Sequence, residues 1–190
     1  ANVLTLVPMT QARMIGATFA QNSNSLAVTS AYATAAPVTG TTWHIQGTLL
    51  NASVTPNPFP EGAWTQHTCV GWTGSGDVPA SGTSNNLSFY ISNNSTLAWQ
   101  WISQVRLDIN PPVNGSIDAT NSWQLLGTNL TITATPTNGY HFVDWSDGVL
   151  TATRTDLNVQ ANISVTANFA IDTFTLTYLS GVGGTISGAT

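Results

Sequence analysis

The chain contains no lysine, and Arg13, Arg106 and Arg154 are its only cations. Against eight acidic residues they leave a net charge of -5. Nucleic acid and anionic membrane surfaces are gripped by clustered Lys and Arg, so this sequence excludes both as partners. Charged residues make up 6% of the 190, where a soluble domain usually carries about a quarter. A single cysteine, Cys69, rules out an internal disulfide. Its place in an apolar strand pattern reads as a small buried hydrophobe instead of a reactive thiol. No apolar run reaches the roughly 18 residues that a membrane-crossing helix needs. The opening "ANVLTLVPMT" has no basic stretch, so neither an anchor nor a signal peptide is expected.

What the chain does have is apolar and uncharged polar residues in a recurring order. It is 42% hydrophobic, and together with so small a net charge this is a folding composition. Sliding the sequence along itself lays "GTLLNASVTPN" (47–57) on "GTNLTITATPTN" (127–138). Gly47 falls on Gly127, Leu50 on Leu130, Pro56 on Pro136 and Trp43 on Trp123, all 80 positions on. Trp72 meets Trp145 73 positions on, and "NLSFYISNNSTLAWQW" meets "RTDLNVQANISVTANF" 68 positions on. That last overlay sets Phe89 on Leu157, Ile91 on Val159 and Trp101 on Phe169. The shrinking distance marks two insertions in the first copy, around "PFPEGAW" and in the Gly/Ser-rich stretch after Trp72, both read as lengthened loops.

The ends repeat as well. "RMIGATF" (13–19) has the apolar spacing of "ISVTANF" (163–169), and "FTLTYLSGVGGTISGAT" (174–190) overlays "VRLDINPPVNGSIDATN" (105–121) 69 positions on. The expected organisation is therefore the end of a preceding repeat in 1–22, a longer full repeat in 23–103, a second full repeat in 104–171, and the first strands of a following repeat in 172–190. Strands are expected over Val3 to Phe19 at one end and Phe174 to Ile186 at the other.

Within a repeat the apolar period is two. Ile163, Val165, Ala167 and Phe169 alternate with polar residues, as do Val105, Leu107 and Ile109. "PTNG", "SDG" and "PPVNGS" supply turns, and no stretch carries a 3.6-residue period. The fold class is all-β: tandem small antiparallel modules of five or six short strands, with no substantial helix. A module of this size has only a marginal core, and Trp72, Trp101, Phe142, Trp145 and Phe169 are the residues expected to fill it.

Chemical motifs are sparse. His44, His67 and His141 lack metal-ligand spacing and read as solvated or strand-face residues. Asp144 and Asp147 read as part of a turn paired with Arg154, since the spacing is not that of a calcium loop. Neither a nucleophile elbow, a phosphate loop nor a dinucleotide fingerprint is present, so no catalytic residue, metal or cofactor is assigned. Exposed aromatics on a β module can stack on sugars, which makes Trp64, Trp43 and Trp123 the candidates for binding. Trp64, in an insertion of one repeat only, is the best placed. Trp43 and Trp123 are repeat-equivalent, which suits a structural role. Sequons at Asn51, Asn86, Asn93, Asn94, Asn114, Asn129 and Asn162 are what chance gives in so Asn- and Thr-rich a chain.

"GYHFVDWSDG" (139–148), followed by "TRTDLNVQANISVTANFAIDTFTLTY" (153–178), resembles the bacterial extracellular repeats of the divergent internalin-B B-repeat type. The first repeat, with "TCVGWTGSGDVPASG" and "NSTLAWQW", is similar to a longer sister repeat. The resemblance implies a secreted or surface-displayed bacterial protein and a small β module, β-grasp-like or a small sandwich. It implies no catalytic residues. Without lysine, Lys–Asn isopeptide cross-links are not available to stiffen it. The expected function is a non-enzymatic structural module of a fibre, stalk or adhesin, partnered by adjacent repeats or copies of itself and polymerising head-to-tail through shared strands. The alternative is a carbohydrate-binding module that engages cell-surface glycans through exposed aromatics.

Overall fold

The computed structural model describes residues 16–179, 181–185 and 187–188. Strands make up 54% of it, and no helix occurs among the described residues. In chain order they are β1 (Ser23–Thr29), β2 (Thr34–Ala36), β3 (Gly40–Ile45), β4 (Thr48–Thr55), β5 (Phe59–Glu61), β6 (Thr65–Ser75), β7 (Ser81–Gly82) and β8 (Asn86–Ile91). There follow β9 (Ser95–Ile109), β10 (Gly115–Ile117), β11 (Ser122–Leu125), β12 (Leu130–Pro136), β13 (Tyr140–Trp145), β14 (Thr153–Asp156), β15 (Ile163–Val165) and β16 (Ala167–Ile171). The all-β expectation holds.

The chain divides into two compact units. One takes residues up to Ser30, Thr34–Val54 and Gly71–Trp99; the other takes Ala31–Ala33, Thr55–Val70 and the chain from Gln100 on. In the first, β1 pairs antiparallel with β3 and parallel with the start of β9, while β2, β4 and β8 form a separate small sheet. In the second, the end of β9 pairs antiparallel with β11 and parallel with β15, while β10, β12 and β14 form the small sheet. The two plans correspond strand for strand.

Register fixes the correspondence residue by residue. Leu26 lies opposite Thr42 and Ser95, and Leu107 lies opposite Ser122 and Ile163. Leu50 faces Phe89, and Leu130 faces Asp156. Gly47 donates to the Ile91 carbonyl at 2.6 Å and Gly127 to the Val159 carbonyl at 2.8 Å. Both glycines hold φ near +80°, at 82° and 83°, which an L side chain adopts only with strain. The sequence overlay is one residue out at Phe89: its counterpart across the small sheet is Asp156, and Leu157 is 71% exposed. Asn158, at φ 50°, absorbs the extra residue.

The small antiparallel sheets hold as expected, with two parallel pairings, of β1 and of β15 with β9, added to them. The two insertions expected as loops are hairpins: β5 pairs with β6, Phe59 opposite His67, and β7 pairs with β6, Trp72 opposite Gly82. Expected strands at the ends differ too. Residues 3–15 and Ile186 lie outside the described residues, while 16–19 and 172–179 are described and form no strand. Alternation does the rest of the work. Leu26, Val28, Leu50, Ala52, Val54, Ile91 and Leu97 are buried in the first unit, and Ile132, Ala134, Trp145, Val165 and Ala167 form a core cluster in the second.

Candidate functional site

Trp145 at the end of β13 is fully buried, and its indole N–H donates to the Thr151 carbonyl at 3.0 Å. Phe142 packs against it at 5.9 Å between ring centres and meets Phe169 edge-on at 6.0 Å. Both phenylalanines are half-buried. Trp72 is half-buried and stands edge-on to the buried Trp99 at 6.0 Å. Trp101 is half-buried and meets Tyr32 edge-on at 5.8 Å.

Arg154 on β14 is buried. Its guanidinium sits 5.4 Å from the centre of the Trp145 ring. It donates to Asp156 at 2.7 and 3.0 Å and to Asp147 at 2.9 Å. These carboxylates, with Asp156 first, hold the guanidinium above its usual pKa against the opposing effect of burial. In the other unit the matching position, opposite Ala52, is Leu87. The expected Asp147–Arg154 pairing is present, while Asp144 accepts from Asn168 Nδ2 at 2.7 Å.

One constellation was not foreseen. His67, read from the sequence as solvated or strand-face, is on the core side of β6 and only 3% exposed. Its Nε2 lies 2.7 Å from Glu61 Oε2 and its Nδ1 2.9 Å from Ser103 Oγ. A carboxylate only accepts, so Nε2–H donates to Glu61, and Nδ1 shares a hydrogen bond with the Ser103 hydroxyl. The groups stand in the order of a hydrolytic relay. Tyr32 stacks on the imidazole at 3.5 Å, 5° from parallel, and the ring is buried. The arrangement pins the β5–β6 hairpin to β9. Its one sequence signal was the strand period, which puts residue 67 on the same face as buried Cys69.

The three candidate sugar-binding tryptophans are not brought together into one site. Trp64 sits at the turn of the β5–β6 hairpin, 49% exposed, and its backbone carbonyl accepts from the Arg106 N–H at 3.0 Å. Trp123 on β11 faces Arg106 on β9, whose guanidinium lies 5.8 Å from the ring and bonds Asp108 at 2.9 Å. Trp43 on β3 faces Ser25 on β1 and is 67% exposed. A shallow groove beside β10, lined by Ile109, Pro111, Gly115, Ile117 and Asn121 among others, offers no ionisable side chain. Among the described residues, no three His, Cys, Asp or Glu side chains stand where they could share a metal ion.

No curated protein and no solved structure matches the chain. The resemblance read from the sequence holds over residues 105–173, which match the family model described as Divergent InlB B-repeat domain, a repeat type associated with bacterial surface proteins.

Proposed function

We propose that the chain is a non-enzymatic structural part of a bacterial extracellular fibre, stalk or adhesin shaft, in which β modules follow one another and the partners are adjacent repeats or further copies. The observation that carries this reading is the double use of β9. Its first residues close the 23–103 repeat by running parallel to β1, and its last residues open the 104–171 repeat by running parallel to β15.

The following residues support the same reading. Phe174, Leu176 and Tyr178 stand at the repeat positions of Val105, Leu107 and Ile109, yet are 90%, 72% and 67% exposed, where Val105 and Leu107 are 3% and 1%. Apolar side chains left this exposed fit a surface that another module or copy covers. Low charge lets neighbouring modules pack without repulsion. Electron microscopy of the protein from its native source tests this: elongated particles or fibres are expected, and isolated compact particles would overturn the reading.

A further inference from the structure

Trp43 and Trp123 occupy the same place in their repeats, the second strand of an antiparallel pair, but their surroundings differ. Opposite Trp123 is Arg106, its guanidinium laid over the indole at 5.8 Å and tied to Asp108. Trp123 is accordingly half-buried. Opposite Trp43 is Ser25, which cannot reach over the ring, and the indole is 67% exposed. The first repeat has kept the tryptophan and dispensed with its cap.

The floor around Trp43 is small and polar. Side chains directly opposite one another share a face, so Ser23, Ser25 and Ala27 on β1 lie on the Trp43 side, across from Ile45, Trp43 and Thr41. Ala27 in turn pairs with Thr96 on β9, whose hydroxyl meets Ser75 Oγ at 2.7 Å. Neither β1 nor β3 carries an Asp, Glu, Lys or Arg. His44 is on the opposite face, bonded through Nε2 to Thr42 Oγ1 at 2.7 Å. A flat apolar ring above uncharged hydroxyls matches one chemistry well: a pyranose ring, whose axial C–H face is apolar and whose rim is hydroxyl. It offers no charged side chain to an anion, and to a cation only the indole face.

We propose that Trp43 is a stacking platform for a neutral polysaccharide, with Ser23, Ser25 and Thr41 as hydroxyl partners at its edge. The site is independent of the spacer role and adds adhesion to it. Its test is electrophoresis of the full chain through native gels containing hydroxyethylcellulose, xylan, galactomannan or, as an acidic probe, polygalacturonate. Retardation by at least one neutral polymer is expected, lost in Trp43→Ala and retained in Trp64→Ala. Ser25→Arg, which restores the cap found over Trp123, is expected to lose it too. Because Trp43 is mostly exposed, an unchanged melting temperature will accompany Trp43→Ala. No retardation by any neutral polymer, retardation by polygalacturonate alone, or retardation that survives Trp43→Ala would each overturn the proposal.

Discussion

The guanidinium of Arg154 lies 5.4 Å from the centre of the Trp145 ring, so a buried cation forms part of the wall around the largest fully buried side chain among the described residues. Two carboxylates neutralise it. Removing the buried partner leaves two carboxylates unpaired, but these are 42% and 25% exposed and water recovers part of the loss. Arg154→Ala is therefore expected to destabilise the chain by about 1–3 kcal/mol, from the lost charged hydrogen bonds and packing. Arg154→Met, which keeps the stem over the indole as Leu87 keeps an apolar group in the other repeat, will cost less. Urea unfolding of the two variants checks the order.

Trp145→Ala empties the centre of the second core. A buried Trp→Ala change costs roughly 3–5 kcal/mol, enough to unfold a small module, and thermal melting will show it as a large drop. A shift near zero would contradict the burial.

Gly71 and Gly82 answer each other across β6 and β7. A Cβ on Gly71 would run into the Gly82 carbonyl, and one on Gly82 into the Trp72 ring. Overpacking of this kind costs typically 1–3 kcal/mol, and Gly71→Ala adds backbone strain at φ 141°. Both alanine variants should melt below the parent chain. The same contact explains why the first repeat has glycine where the second has Asp144: the added hairpin occupies the space.

Asp77 accepts from the backbone N–H groups of Ser92 and Asn93, at 2.5 and 2.6 Å, and from Asn93 Nδ2 at 2.9 Å. The Ser92 N–H first, then Asn93, hold its carboxyl below the ordinary value of 3.8. A carboxyl depressed in the folded state contributes stability that is complete above its unfolded pKa and is lost as pH falls through the folded one. Melting temperatures recorded downward from about pH 5 should fall more steeply for the parent chain than for Asp77→Asn, with the difference confined to the acid range. Parallel curves would contradict the assignment.

Much of this was legible in the residues because half-buried strands announce themselves by alternation. The repeat overlay placed Leu50, Leu107 and Leu130 on strands, and the glycine pair Gly47 and Gly127 fell at matching turns. Partner direction was not legible. Leu26 pairs in parallel with Ser95, 69 positions away, and local periodicity is blind to that choice. The "PFPEGAW" hairpin was hidden by its prolines, which argue against a strand except at a sheet edge, where β5 lies. His67 was hidden because its partners, Glu61 and Ser103, are brought to it by that hairpin and by β9. The exposure of Trp43 could have been suspected from Ser25 standing where Arg106 stands, but only once register had aligned the two.

The first residues of β9 pair with β1 and its last with β15. Hydrogen exchange of the backbone amides from Ser95 to Ile109 measures this directly, because the opening of a cooperative unit exposes its amides together. Slow exchange through the whole of β9, with no break near Ile102 and Ser103, is the predicted result. Two protected blocks separated by rapidly exchanging amides would mean an ordinary linker between separate domains, and would contradict it.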